Sequence, residues 1–134
     1  MFEFDININT LFYSDIKCTT LHDRYQKAKL LSGFTQKELC KLTGLSQSTI
    51  NDFGKKDFTV STLKKLLTIL NKNILCDDYC NFILNQGYNM KKLINKYGIK
   101  KLSALLCVHR STIERYRDEK YQIKISMYKR LEKL

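Results

Sequence analysis

Helix-capping residues and glycine stops divide the chain into short helices, and this division constrains the fold more than any other feature. Thr20 can cap a helix that ends at Gly33. Thr35 begins a capping box for a helix that stops at Gly44, and Ser46 can cap a third helix directly after it. The chain contains no proline, so no ring forces a break inside these helices. The predicted fold is therefore mainly α.

Six more helices are predicted farther along the chain. Ser61 is expected to cap a leucine-rich fourth helix. A fifth helix is predicted over 77–85, with Gly87 just past its end, and Asn89 is expected to cap the sixth. The predicted ranges from the sixth helix onward are 90–97, 100–106, 110–117 and 126–134.

The first residues follow a different pattern. Residues 2–8 alternate apolar and polar side chains, which is typical of a strand. A lone strand needs a partner, either its own copy in a dimer or the helices on which a short edge can pack. The predicted domains are an N-terminal strand or arm (1–18) that can mediate dimerisation, a first helix-turn-helix domain (19–87) and a second, strongly basic one (88–134).

An internal repeat supports the two helix-turn-helix units in tandem. A shift of 63 positions aligns residues 48–50 with residues 111–113, which have the same Ser-Thr-Ile sequence. The same shift pairs apolar residues at expected core positions: Leu39 with Leu102, Leu42 with Leu105, Leu45 with Val108 and Phe53 with Tyr116. We interpret this as two copies of one small helical unit.

Apolar residues in the first copy indicate how its helices pack. Leu39 and Leu42 lie on one face of the second helix, and Ile50 holds the third helix to the core. Gly44 allows the sharp turn between the two helices. Short polar residues remain outward on the third helix, where they are suited to bases in the major groove. They are Gln47, Ser48, Asn51 and Asp52, with Thr49 beside them.

This stretch resembles the Cro and phage-repressor (XRE-like) family of helix-turn-helix regulators. The matching residues are Thr35, Gln36, Leu39, Cys40, Leu42, Thr43, Gly44, Leu45, Ser46, Gln47, Ser48, Thr49 and Ile50. The resemblance covers about 21–70 and implies base-facing positions for Gln47, Ser48 and Asp52. It also implies that Gln36 contacts a phosphate and that Lys29 lies where the first helix approaches the DNA backbone.

The second copy is similar to the helix-turn-helix of the resolvase and invertase class. The residues that carry this likeness are Leu102, Ser103, Leu105, Leu106, Cys107, Val108, His109, Arg110, Ser111, Thr112, Ile113, Arg115 and Tyr116. Cys107 replaces the usual turn glycine at a position that often has positive φ. The expected base-reading residues are Arg110, Ser111, Thr112 and Arg115, and the expected phosphate contacts are Lys101 and Arg117, together with Lys55 and Lys56 of the first copy.

The charge distribution indicates an anionic partner. The net charge is +11. Residues 88–134 hold 13 Lys and Arg against 4 Asp and Glu, a net charge of +9, whereas residues 1–87 hold 11 against 9, a net charge of +2. Such a cationic excess favours nucleic acid or an acidic surface as the partner.

These patterns predict a sequence-specific regulator of transcription that binds double-stranded DNA. We expect a small cytoplasmic repressor of phage or mobile-element type, bacterial or phage-encoded, which acts as a homodimer by occluding its operator. The alternative is a helix-turn-helix protein that binds another protein or an RNA–protein complex, such as a phage inhibitor of host defence. These two hypotheses can be separated by measuring how binding to duplex DNA, with no other partner present, depends on salt concentration.

Other classes of protein find little support in the sequence. No Ser/His/Asp set, phosphate-binding loop or pair of carboxylates predicts catalysis, and we expect no enzyme activity and no cofactor. The five cysteines are odd in number and scattered, so neither a disulfide framework nor a metal site is expected. The sequence also predicts neither a membrane span nor a secretory signal.

Overall fold

The computed structural model describes residues 19–134, and this part of the chain is mainly α, as predicted. The strand predicted over residues 2–8 lies outside the described residues. None of the described helices is long and apolar enough to cross a membrane. The helices are α1 Leu21–Ser32, α2 Gln36–Thr43, α3 Gln47–Asp52, α4 Val60–Leu67, α5 Lys72–Leu75, α6 Asp78–Leu84, α7 Gln86–Tyr97, α8 Ile99–Leu106, α9 Arg110–Arg117 and α10 Ile125–Glu132.

The chain divides into two compact units between Asp77 and Asp78. This division falls ten residues before the boundary expected after residue 87, because α6 packs with the helices that follow it. The Tyr79 hydroxyl donates to the backbone oxygen of Ile123 at 2.6 Å, and Phe82 packs against the core of the second unit.

The predicted caps of the first three helices are confirmed. Thr20 Oγ1 accepts from the backbone N–H of Asp23 at 3.1 Å, and the capping box at Thr35 is complete. Gly33 and Gly44 end α1 and α2 in the left-handed conformation, with φ of 77° and 75°. A residue with a Cβ is disfavoured there, which explains why both helices stop at glycine.

The predicted start of the fourth helix was wrong. Thr59, two residues before Ser61, is the N-cap of α4, and its Oγ1 accepts from the backbone N–H of Thr62 at 3.2 Å. Either hydroxyl has the chemistry of a cap, so composition alone does not separate them. The short helix α5, which Asn71 caps, was not predicted.

The predicted start of the sixth helix was also wrong. Helix α7 begins at Gln86, so Gly87 and Asn89 lie inside it rather than before it. The Asn89 amide donates to the backbone oxygen of Phe82 at 3.1 Å. At Gly87, an added Cβ would lie 2.9 Å from the backbone oxygen of Arg117, so this glycine serves the close approach of two chain segments.

The core of the first unit joins α1 to the end of α3. The ring of Tyr25 is 1% exposed and packs edge-on against Phe53 at 5.9 Å. Gly54 has φ of 83°, and a Cβ there would lie 2.5 Å from the backbone nitrogen of His22. This contact fixes where the chain leaves α3. The Arg24 guanidinium donates to the backbone oxygen of Cys76 at 2.9 Å and thereby ties the end of α5 to α1.

The core of the second unit is built around buried side chains from α7 to α10. They are Met90, Leu102, Leu106, Ile113, Ile123 and Leu131. Gln86 is a buried polar residue, 3% exposed, that joins the start of α7 to the backbone at the end of α9 and in the loop after it. Its amide nitrogen donates to the backbone oxygens of Tyr116 and Tyr121 at 3.0 and 2.7 Å, and its oxygen accepts from the N–H of Ile123 at 2.9 Å. All of its strong hydrogen-bonding groups therefore have partners, which offsets the cost of burying them.

Candidate nucleic-acid interface

The turn between α2 and α3 is held by short hydrogen bonds. The N–H of Gly44 donates to the backbone oxygen of Cys40 at 2.9 Å. The Thr43 hydroxyl donates to the backbone oxygen of Leu39 at 2.6 Å and accepts from the N–H of Leu45 at 3.3 Å. The two helices are therefore joined by a turn whose backbone groups are tied down by local hydrogen bonds.

One side of α3 is buried and the other is exposed. Ile50 is 0% exposed, and so is Leu39 of the preceding helix. At 3.6 residues per turn, Ser48 and Asp52 lie on roughly the opposite side of the helix from Ile50. Gln47, Ser48 and Asn51 are exposed, whereas Asp52 is half-buried. The outward polar row that the sequence predicted is therefore present on a helix that is pinned to the core.

A hydrogen bond joins the two helices across this face. The Gln36 amide nitrogen donates to Asn51 Oδ1 at 3.4 Å. Gln36 is half-buried at the start of α2, so the bond connects the predicted phosphate contact to a predicted base reader. Sequence analysis named both residues and missed their pairing, because they are 15 positions apart.

The cap of α3 engages two of the predicted base readers. Ser46 Oγ lies 2.8 Å from the Thr49 hydroxyl and 3.2 Å from the Ser48 hydroxyl, and it also accepts from the backbone N–H of Thr49. Thr49 is half-buried. The hydroxyls of Ser48 and Thr49 are therefore engaged at the start of α3, whereas the side-chain amides of Gln47 and Asn51 are exposed.

Asp52 is paired with a cation of the following loop. Its carboxylate lies 3.8 Å from Lys56 Nζ, and its backbone oxygen accepts from the N–H groups of Lys55 and Lys56 at 2.9 and 3.1 Å. Both lysines are exposed. The pair places positive charge directly beside the acidic residue, so the charge of this end of α3 is balanced locally. Lys29 is half-buried in the last turn of α1.

The second unit contains a similar turn between α8 and α9. Cys107 adopts the left-handed conformation, with φ of 55° and ψ of 41°, at the position that Gly44 occupies in the first unit. Val108 N–H donates to the backbone oxygen of Ser103 at 3.1 Å. His109 caps α9 through its Nδ1, which accepts from the N–H of Ser111 at 3.3 Å. The positive φ that the sequence indicated for Cys107 is confirmed.

The side chains predicted on α9 fall into two groups. Arg110 and Arg115 are exposed, whereas Ser111 and Thr112 are half-buried beside the cap. Arg117 is paired with Asp118 at 3.1 Å, and a hydrogen bond from Arg117 lowers the pKa of the Asp118 carboxyl. On α8, the Lys101 ammonium lies 5.7 Å from the centre of the Tyr97 ring.

Arg115 has a neighbour that the sequence did not suggest. Its guanidinium lies 5.2 Å from the centre of the Tyr121 ring, and Tyr121 is 51% exposed. The two residues are six positions apart and belong to different elements. The signal in the sequence was only an aromatic residue in a basic segment, which does not identify a stacking partner.

Within residues 19–134, no cluster of three or more His, Cys, Asp or Glu side chains could hold a metal ion. Apart from the Asp52 carboxylate, the predicted contact residues carry amide, hydroxyl and cationic groups, the kinds of group with which proteins contact bases and phosphates.

Comparison with known proteins gives one positive result. Residues 26–75 match the family model described as Helix-turn-helix. No curated protein and no solved structure matches the chain. The match supports the Cro-like resemblance for this part of the chain and identifies residues 26–75 as a helix-turn-helix segment.

Proposed function

We propose that this protein is a sequence-specific regulator of transcription, and that it binds operator DNA with α3 in the major groove. The observation that carries the proposal is the exposed polar row of α3 on a helix whose other side is fixed by Ile50, 0% exposed. A rigid helix with short polar side chains outward is the element that reads base edges in this class of proteins.

The chemistry of the row suggests which bases it reads. The Gln47 amide can donate to adenine N7 and accept from adenine N6, an arrangement that excludes the other bases. The Asn51 amide has the same groups on a shorter stem, and Gln36 orients it through the 3.4 Å hydrogen bond. The Asp52 carboxylate can accept from the amino group of cytosine, with Lys56 close enough to offset its repulsion of phosphates.

Contacts to the DNA backbone are proposed for residues around this helix. Lys55 and Lys56 follow α3 directly and are exposed, so they can reach a phosphate that borders the groove. Gln36 lies at the N-terminus of α2, where its amide and the backbone N–H groups favour an anion. Lys29 extends the positive surface on α1. These contacts fix the register of the protein without reading sequence.

Selection of bound sites from random duplex DNA with the full chain tests this proposal. Replacing Gln47 with Ala should weaken the selected site by about 1–3 kcal/mol and leave affinity for random duplex nearly unchanged. Asn73→Ala is the matched control, because it removes an exposed amide from α5 of the same unit. If Gln47→Ala weakens selected and random DNA equally, Gln47 does not read a base.

We further propose that the protein represses transcription by occluding its operator. A protein that only covers its operator should block transcription in vitro when the selected site overlaps the promoter. It should have no effect when the site is moved well upstream. Stimulation of transcription from either position would contradict the occlusion mechanism.

A further inference from the structure

The two units contain the same helix-turn-helix arrangement in the same register. The shift of 63 positions pairs Leu39 with Leu102 and Ile50 with Ile113, and all four side chains are 0% exposed. It also pairs the two turn residues with positive φ, Gly44 and Cys107. Because the buried residues and the turn conformation match, the positions of α9 that face away from its core are the equivalents of those that do so in α3.

The exposed side of α9 differs chemically from that of α3. Helix α3 contains no cation, whereas α9 contains three arginines. Arg115 occupies the position of Asp52, on roughly the opposite side of the helix from the buried Ile113. A guanidinium therefore stands where α3 has a carboxylate, so the preferred ligand atoms change from hydrogen-bond donors to acceptors.

Arg115 is held in place by a ring that is itself anchored. The Tyr121 ring lies 5.2 Å from the guanidinium carbon, and the backbone oxygen of Tyr121 accepts from the buried Gln86 amide at 2.7 Å. The N–H of Lys120 donates to the backbone oxygen of Arg115 at 2.9 Å, which closes the loop that carries the ring. A stacked guanidinium loses less conformational freedom on binding than a free one and keeps its planar edge available.

We infer that α9 is a second site for double-stranded DNA, and that Arg115, stacked on Tyr121, reads a guanine in the major groove. The guanidinium fork matches guanine O6 and N7, which accept two parallel hydrogen bonds. The excess of 13 cations over 4 acidic residues in 88–134 supplies the attraction to phosphates. This inference concerns a site outside the matched residues 26–75, and it rests on the proposed function only for the choice of duplex DNA as the ligand.

The division of labour between the units follows from their charges. The first unit reads bases with side-chain amides and carries little net charge. The second unit reads bases with arginine and supplies most of the non-specific attraction to DNA phosphates. The full chain should therefore select DNA with two separate blocks of defined sequence. Guanine should dominate the block that depends on α9.

The test is selection from random duplex DNA with the full-length protein and variants at two positions. Arg115→Ala should abolish guanine preference in one block and weaken the best site about 10- to 100-fold. Arg115→Lys keeps the charge but lacks the fork, so it should lose the guanine preference while the dependence of affinity on salt stays as in wild type. Tyr121 is a positioning residue: Tyr121→Ala should weaken the guanine preference, and Tyr121→Phe should retain it.

The outcomes separate this inference from the proposed function. If Arg115→Ala and Arg115→Lys select the same sequences as wild type, the inference is wrong, whether the basic surface then binds RNA, a protein or phosphates alone. If Gln47→Ala changes no block while the Arg115 variants change one, the proposed role of α3 fails and the inference stands. Far-UV circular dichroism of each variant checks that the helices are retained.

Discussion

Cys107 is a residue with a Cβ in a conformation that favours glycine, so replacing it with glycine should stabilise the second unit. Its φ is 55° and its ψ is 41°, and its side chain is exposed. The thiol makes one weak contact, at 3.7 Å, with the backbone oxygen of Ala104. Little packing is therefore lost when the side chain is removed, and the backbone conformation dominates the result.

The magnitude follows from two opposing terms. A residue with a Cβ in the left-handed region costs about 1–2 kcal/mol relative to the right-handed one. Glycine removes this strain, but its unfolded chain has more freedom, which costs about 0.4–1 kcal/mol. The expected net gain for Cys107→Gly is about 0.5–1 kcal/mol in the free energy of unfolding. Cys107→Ala removes the thiol but keeps the Cβ, so it should remain close to wild type.

Urea unfolding followed by far-UV circular dichroism measures the difference between these two variants in the transition of the second unit. The equivalent position in the first unit provides a mirror control. Gly44 has φ of 75° and no atom within 4 Å of an added Cβ, so Gly44→Ala should destabilise the first unit through backbone strain alone. The reasoning is refuted if Cys107→Gly is no more stable than Cys107→Ala.

Three further predictions concern stability, DNA affinity and assembly. The Tyr25 hydroxyl is buried without a hydrogen-bond partner among the described residues, so Tyr25→Phe should leave stability at pH 7 unchanged or raise it by about 1 kcal/mol in urea unfolding. Burial raises the pKa of Tyr25 to about 12. The free energy of unfolding of wild type should therefore fall by about 2–3 kcal/mol as pH rises from the pKa of the unfolded chain towards 12, whereas Tyr25→Phe should lack this loss. An equal loss in both proteins at alkaline pH would contradict this. A chain of residues 1–77 lacks 13 cations and 5 acidic residues, so its affinity for duplex DNA and the dependence of that affinity on salt should fall together. Undiminished affinity would show that the second unit does not bind DNA. Deleting residues 1–9, which carry the alternating apolar pattern, should convert a homodimer to a monomer by light scattering; a monomeric full chain, or a dimer that survives deletion, would show that the strand does not pair.

Helix boundaries that depend on local capping could be predicted from the sequence. The start and end of α1 and α2 follow from Thr20, Thr35 and the glycines that stop the two helices, because a cap acts on N–H groups only two or three positions away. The register of α3 followed from the same rule, together with the burial of one apolar residue. The exposed row of the candidate site, with Gln47 at its start, was therefore predictable in position.

Contacts between distant residues were decided by the tertiary structure. Gln86, the first residue of α7, has its side-chain amide bonded to backbone groups 30 to 37 positions away. Helix α6 is tied to the second unit by the bond from Tyr79 to Ile123. The stacking of Arg115 on Tyr121 and the bond between Gln36 and Asn51 arise in the same way. None of these pairs leaves a periodic or capping pattern in the sequence, because each depends on which elements the packed cores bring together.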